Sequence, residues 1–172
     1  NILIISYCYP PSNAPAAQRP YATAKYLDKS KYRVTVLTCS NAESSLGFDP
    51  DLDPELPNVS LLKTKALIGD KASTFRSTTS NESKRSFISY IKKKILSILL
   101  VFVIPDKAIF WFPKVKSFLK LNPLLVEETD IVISVSPVFT NHLLAQHLVN
   151  KNRKIQWVAD FGDFHHIGHE KE

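Results

Sequence analysis

Short apolar runs rich in β-branched residues constrain the fold of this chain more than any other feature of its sequence. The first run, residues 1–6 (NILIIS), is nearly continuous, which is typical of a strand buried on both faces of a sheet. A second run of this type covers residues 33–38 (RVTVLT), and a helix that begins near Ala16 is predicted between them. Strand, helix and strand in this order predict a βαβ unit with parallel strands and a right-handed crossover.

The same alternation returns in the last third of the chain. Strands are predicted over residues 130–134 and 155–159, and a helix with an apolar face over residues 138–150. A short strand is also predicted over residues 59–63, after an acidic loop. Together these segments predict an α/β fold that is Rossmann-like, with three α/β/α layers and a mostly parallel sheet.

The composition limits the kind of site that this fold can carry. The 172 residues suffice for one core, so one domain is expected. With four glycines the chain holds neither GxGxxG nor GxxxxGK[ST], so the usual dinucleotide site and a P-loop are not expected. Two cysteines cannot build a disulfide framework, which favours a reducing compartment. Because no signal peptide precedes the first strand, a cytoplasmic location is expected.

The positive charge is concentrated in one part of the chain. Residues 63–120 hold 13 Lys or Arg and 3 Asp or Glu, a net charge of +10, whereas the whole chain carries +6. Within this part, residues 64–86 are rich in Ser, Thr and Lys, which predicts a flexible surface excursion. The apolar run at residues 95–104 would span roughly 15 Å as a helix, too little to cross a bilayer of about 30 Å, and Pro105 ends it.

Two interpretations of residues 84–120 stay open. They form core helices with solvated lysines, or they dock on an anionic membrane surface. In the second interpretation the membrane-facing residues are Lys92, Lys93, Lys94, Phe110 and Trp111. Aromatic residues are too sparse among the lysines for a nucleic-acid platform, so no nucleic-acid partner is expected.

Candidate site residues follow the predicted strands, at the carboxyl ends where ligands of an open parallel sheet bind. Helix N-termini after two of these loops would aim N–H groups into the same space, which suits a phosphate or a hydroxyl-rich ligand. The side chains that this rule places around one cleft mouth are those of Asn13, Arg19, Ser136, Asp160 and Asp163.

Histidines raise the alternative of a metal site. Asp163 and the histidines within residues 165–169 offer suitable ligands, but adjacent histidines do not easily reach one ion, so no metal is expected. His142 and His147 are five residues apart and do not share a helix face. They are interpreted as ordinary surface or partly buried residues.

Two stretches, residues 1–40 and 105–165, carry a resemblance to a known family. In order, they hold a strand, a Pro-containing loop, a helix with an Arg, a strand followed by Thr, a strand that ends in Ser-Pro, and a Trp-containing strand that ends in DFGD. This order resembles the N-terminal domain of a family 4 retaining glycosyltransferase with the GT-B fold, of the sort that builds bacterial surface polysaccharides. The resemblance implies that residues 1–172 are the acceptor-side half of a GT-B fold.

The resemblance also implies an activity and its partners. A sugar would move from a nucleotide-sugar, which is a substrate rather than a cofactor, to a hydroxyl of a glycan or lipid-linked glycan with retained anomeric configuration. The family's second domain, which binds the donor, has no room in 172 residues, so this part alone is expected to be inactive. A peripheral location on the inner face of the plasma membrane would suit a lipid-linked acceptor.

Roles for single residues follow from the family motifs. Residues 11–16 correspond to a Gly-rich loop that faces the donor phosphate, which places Asn13 and the Ala14 N–H there. Arg19 would contact an anionic group, and Ser136 with Pro137 would line the acceptor side.

The last motif of the resemblance is a pair of carboxylates. Asp160 and Asp163 match an Asp-x-Arg-Asp motif, in which Asp163 would orient the acceptor hydroxyl and act in catalysis. The chain departs from the family at two places, with residues 14–16 (APA) where two glycines are usual and Gly162 where Arg is usual.

Two rival functions stay open at this point. The first is a stand-alone flavodoxin-like module that binds an anion or a partner without catalysis. The second is a hydrolase that uses Asp160 and Asp163 as its pair of carboxylates.

Overall fold

A computed structural model describes residues 1–40, 51, 53–67 and 105–162, and the structural statements below concern these residues. Its helices are one 3₁₀ helix and four α-helices, and its strands number five. The strands are β1 (Ile2–Ser6), β2 (Val34–Cys39), β3 (Val59–Thr64), β4 (Ile131–Val135) and β5 (Gln156–Asp160). The α-helices are α1 (Pro15–Tyr26), α2 (Phe112–Leu121), α3 (Pro123–Glu127) and α4 (Phe139–Lys151), and the 3₁₀ helix covers Lys107–Trp111.

The five strands form one open sheet in the order β3-β2-β1-β4-β5, and every pair is parallel. The register aligns Ile4 of β1 with Val36 on one side and Ile133 on the other. Helices pack on both faces, so the predicted α/β fold with a Rossmann-like parallel sheet is confirmed. The flavodoxin-like order, 2-1-3-4-5, is not the one observed, because β1 lies between β2 and β4.

Each predicted strand lies within one or two residues of the observed one, and α1 begins one residue before Ala16. The agreement is a consequence of the apolar runs, which leave little freedom in where a buried strand begins. The short helix α3 was not predicted. At the edge, β5 differs from the buried strands, since Trp157 and Val158 are 40% and 50% exposed.

The core has two layers, one on each face of the sheet. On one face, Ile4 and Val36 pack beneath α1 with its buried Ala24. On the other face, Leu3 and Ile5 pack with α2, α4 and the 3₁₀ helix. Odd and even residues of β1 thus serve different layers, as the pleat of a strand requires.

Trp111 belongs to the second layer, so the prediction that it faces a membrane is wrong. Its side chain is fully buried and meets the Tyr7 ring edge-on at 5.6 Å, and its Nε1–H donates to Thr64 Oγ1 at 2.6 Å. A large aromatic ring beside the last residue of β3 contributes more to the core than it would on the surface. Phe110 is half-buried.

Other predictions on the basic part of the chain lie outside the described residues. These are Lys92, Lys93 and Lys94, the apolar run at residues 95–104 and most of the excursion at 64–86. In the part of the chain that the structure describes, no helix combines the length and apolar character needed to cross a membrane.

Candidate functional site

The reversal of strand order defines the candidate site. The chain leaves β1 toward α1 on one face of the sheet and leaves β4 toward α4 on the other, so the two loops diverge at the carboxyl ends of neighbouring strands. A crevice between diverging loops is where ligands of open α/β sheets bind. Asp163, the predicted catalytic carboxylate, lies outside the described residues.

Three of the predicted residues lie together at this edge. Ser136 follows β4 directly, and its backbone N–H donates to the Asp160 carbonyl at 2.9 Å. The Asp160 carboxylate in turn accepts a hydrogen bond from Arg19 Nη1 at 3.4 Å. Ser136 and Asp160 are thus joined through their backbones and Asp160 and Arg19 through their side chains, and Pro137 is exposed beside them.

Gly162 explains how Arg19 reaches this place. A Cβ at position 162 would overlap the Arg19 guanidinium, so the guanidinium occupies the space that a side chain at this position would need. In the Asp-x-Arg-Asp motif that residues 160–163 resemble, Arg is usual at this position. Here Arg19, which comes from α1, brings the positive charge instead.

The Asn141 side chain links the carboxyl ends of β1 and β4, where the two strands separate. Its Oδ1 accepts a hydrogen bond from the Tyr7 backbone N–H at 3.0 Å, and its Nδ2 donates to the Val135 carbonyl at 2.7 Å. The side chain is 1% exposed. The carboxamide thus takes the place of a ladder bond and holds the floor of the crevice.

His142, the next residue of α4, forms a buried polar cluster with two serines. Its Nδ1 lies 2.7 Å from Ser134 Oγ, and its Nε2 lies 2.9 Å from Ser136 Oγ. Trp157 Nε1–H donates to Ser134 Oγ at 2.8 Å. The ring of Phe161 stacks on the imidazole, with the two ring centroids 4.4 Å apart.

The burial of His142 favours the neutral form of its imidazole. Its side chain is 7% exposed, and this burial lowers its pKa below the usual value, while the negative charges of Asp160 and Asp106 oppose the shift. A neutral imidazole has one N–H donor and one acceptor nitrogen. The ring therefore donates to one of the two serines and accepts from the other.

The N-terminus of α4 was predicted to present free N–H groups to a ligand. In the structure the N–H of Thr140 is instead bound by another residue of the chain. The Asp106 carboxylate accepts hydrogen bonds from the Thr140 N–H at 2.9 Å and from the Thr140 hydroxyl at 2.7 Å. A carboxylate from the protein thus fills the place where a phosphate would bind.

At the N-terminus of α1 the described residues supply no side-chain cap, since Ala14 at the N-cap has no hydrogen-bond acceptor in its side chain. Asn13 is exposed, and its Oδ1 accepts a hydrogen bond from Gln18 Nε2 at 3.1 Å. The Ala14 N–H, predicted near the donor phosphate, donates to Ser12 Oγ at 3.4 Å, and Ala14 is 1% exposed.

Tyr9 is a further polar group near this edge, in the loop after β1. Its hydroxyl is buried and has no hydrogen-bond partner among the described residues. Burial, together with the neighbouring Tyr21, raises the pKa of Tyr9 to about 12. The phenol therefore stays protonated at neutral pH.

Two surface cavities formed by described residues lie at the opposite edge of the sheet. One of about 570 Å³ is lined by residues such as Arg33 and Asn58, which precede β2 and β3. Another of about 450 Å³ is lined by residues such as Lys120 and Lys151, at the ends of α2 and α4. We place the candidate site by topology, because the diverging loops and the buried polar cluster are at the carboxyl edge.

The described residues contain no group of three His, Cys, Asp or Glu side chains that could hold a metal ion. The histidines at 165–169 lie outside those residues.

Asn141 and His142 were missed by the sequence interpretation. The signal was present, because Ser134 in β4 and Ser136 directly after it are two residues apart, so their side chains lie on one face, and the following helix packs over that face. A polar pair in an otherwise apolar strand needs hydrogen-bond partners, and the helix above it is where they come from.

Comparison of the chain with protein-family models, with curated proteins and with solved structures finds no match.

Proposed function

We propose that this chain is the acceptor-side domain of a retaining glycosyltransferase with the GT-B fold. The reaction would move a sugar from a nucleotide-sugar to a hydroxyl of a glycan or lipid-linked glycan, as in surface polysaccharide biosynthesis. The sequence resemblance to family 4 supports the class. The observation that carries the proposal is that Ser136, Asp160 and Arg19 meet at the carboxyl edge, where the strand order reverses.

In this proposal the carboxyl edge is one wall of a cleft. Ser136 and its neighbours bind acceptor hydroxyls, and Arg19 with Asp160 borders the bound substrate. Asp163, two residues beyond Phe161, orients the attacking hydroxyl. The glycosidic bond to the donor phosphate breaks, the new bond forms to the acceptor oxygen, and the nucleotide leaves with the bridging oxygen, so the acceptor proton must be taken up.

A second wall would bind the nucleotide-sugar, because transfer requires donor and acceptor to be held together. The proposal places that wall in a further domain of about 150–200 residues encoded after residue 172. Reading the gene beyond this codon tests this part directly. A reading frame that stops at residue 172 favours a stand-alone binding module instead.

The activity is tested on the complete gene product with labelled nucleotide-sugars and a membrane lipid extract as acceptor. Asp163→Asn is expected to reduce transfer by about 100-fold or more, because it removes a carboxylate from the acceptor. Asp53→Asn, in an exposed loop after β2, is the matched control and is expected to leave transfer unchanged. Release of reducing sugar from glycans by the 172-residue chain alone would support the rival hydrolase.

Peripheral attachment to an anionic membrane is part of the same proposal. It is supported by the net charge of +10 on residues 63–120. Lys92, Lys93, Lys94 and Phe110 are the membrane-facing residues that it retains.

A further inference from the structure

The hydrogen bonds around His142 run in one direction. An indole N–H can only donate, so Ser134 Oγ accepts from Trp157 Nε1. Ser134 is fully buried, and the acceptor that the structure offers to its hydroxyl proton is His142 Nδ1 at 2.7 Å. This arrangement requires that His142 Nδ1 carries no proton.

The direction at the second serine follows from the first. A neutral imidazole without a proton on Nδ1 carries it on Nε2, and this N–H donates to Ser136 Oγ at 2.9 Å. In the reverse arrangement Ser134 Oγ would accept from both Trp157 and His142. Its own hydroxyl proton would then be buried without an acceptor, which is strongly disfavoured.

Ser136 is the last member of this chain of donors. Its oxygen accepts from His142, and its own hydroxyl proton has no acceptor among the described residues. The side chain is 5% exposed and lies directly after β4, at the reversal of strand order. A buried hydroxyl donor left without a partner at a crevice indicates the place of a ligand atom or a bound water.

We infer that Ser136 donates a hydrogen bond to a neutral hydroxyl oxygen of a bound sugar, and that His142, as its Nε2–H tautomer, is the positioning residue that holds Ser136 in this role. The same tautomer excludes a Ser136 nucleophile, because Nε2 already carries a proton and cannot act as its base.

Local charge favours a neutral ligand over a phosphate. The Asp106 carboxylate already binds the N-terminus of α4, and Arg19 at this edge is paired with Asp160. Among the described residues the cation at this edge is Arg19, which is already paired, so a phosphate at Ser136 would approach two carboxylates. The sugar class rests on the proposed function, whereas the tautomer of His142 does not depend on it.

The tautomer is tested on the wild-type chain labelled with ¹⁵N-histidine, by long-range ¹H–¹⁵N NMR at a pH above 7. We expect the His142 Nε2 to resonate as a protonated nitrogen and Nδ1 as an unprotonated one. Ser134→Ala is expected to bring the ring toward a mixture of both tautomers, while His147 on the same helix is unchanged. A protonated Nδ1 in the wild type would overturn the inference.

The ligand is tested with the methyl glycosides of glucose, galactose, mannose and N-acetylglucosamine, and with inorganic phosphate as a separate arm. We expect at least one glycoside to shift the His142 ring signals and Ser136→Ala to weaken its binding by about 3- to 10-fold, the value of one neutral hydrogen bond. Phosphate is expected to cause no shift. The sugar assignment would be overturned if phosphate alone shifted the His142 signals, or if none of the probes shifted them.

The positioning role is tested by rescue. Gln at position 142 can still donate an N–H to Ser136, so His142→Gln is expected to keep most of the glycoside affinity that His142→Leu loses. His147→Gln is the matched control on α4. Equal losses in both His142 variants would contradict a positioning role.

If glycosides bind but the complete gene product transfers no sugar, the proposed function fails and this inference stands.

Discussion

Asp106 and Thr140 lie 34 residues apart in the chain, yet the Asp106 carboxylate binds both the N–H and the hydroxyl of Thr140. The same carboxylate accepts a hydrogen bond from the Ala108 N–H at 2.9 Å, so it caps the 3₁₀ helix as well. One side chain thereby ties the start of the 3₁₀ helix to the start of α4. It also holds the helix that carries Asn141 and His142 against the carboxyl edge.

Removal of this cap is expected to destabilise the fold. Asp106→Ala takes away the acceptor of three hydrogen bonds at two helix N-termini, so the free energy of unfolding should fall by about 2 kcal/mol. Urea unfolding followed by circular dichroism measures the loss. Asp53→Ala is the control, because Asp53 also accepts a backbone N–H, from Glu55, but is exposed. Equal losses in both variants would contradict the capping role.

Asn141 is expected to be among the most sensitive positions of the fold. Asn141→Ala removes the acceptor of the Tyr7 N–H and the donor to the Val135 carbonyl, both buried, at a cost of about 3 kcal/mol. Asn150→Ala changes the same residue type on the exposed side of α4 and should cost less than about 0.5 kcal/mol. Thermal unfolding of the two variants tests this difference. Similar melting temperatures would show that the two hydrogen bonds of the Asn141 side chain add no stability.

Gly162 is expected to control the Arg19–Asp160 ion pair. A Cβ at this position overlaps the guanidinium, so Gly162→Ala should displace Arg19 and break the pair. Because both partners are partly exposed, the loss should be below about 1 kcal/mol. A double-mutant cycle between Arg19→Gln and Asp160→Asn measures the coupling in each background. A coupling energy that is unchanged by Gly162→Ala would contradict the displacement.

Stability is expected to fall as the pH decreases from about 7 to 5. Burial lowers the pKa of His142 and of His147, so the unfolded chain binds protons that the folded chain does not. Their contribution is complete above the unfolded pKa of about 6.5 and declines below it, by at most about 1.4 kcal/mol per pH unit for each histidine.

Urea unfolding at several pH values tests this sign. His142→Gln should make the free energy of unfolding depend less steeply on pH. The histidines at 165–169 are present in both the variant and the wild type, so their effect cancels when the two slopes are compared. The same slope in the variant and the wild type would show that His142 titrates alike in the folded and unfolded chains.

Membrane docking is tested by co-sedimentation with vesicles of neutral or anionic lipid. Binding to anionic vesicles should exceed binding to neutral ones, and replacing the lysines at 92–94 by Ser should weaken it by about tenfold or more. The control is a triple replacement of exposed lysines elsewhere, at positions 25, 151 and 154. Equal recovery in the supernatant with both lipids would remove the membrane from the proposed function.

The strands and the main helices could be predicted because each is specified by its own residues. A nearly continuous apolar run such as residues 1–6 can be buried on both faces in a central parallel strand, and the length of the connections requires crossovers. The same reasoning predicted that Ser136, Arg19 and Asp160 lie at one edge of the sheet, and the structure brings these three residues together there.

The local pattern therefore sufficed to predict the class of fold and the edge at which three of the candidate residues meet. It did not reveal that Trp111 is buried, that Asp106 caps α4, or that His142 joins two serines to an indole. These contacts join residues that are distant in the chain, or that meet only once a helix lies over a strand. Their geometry depends on how the helices pack on the sheet, and no local periodicity encodes that packing.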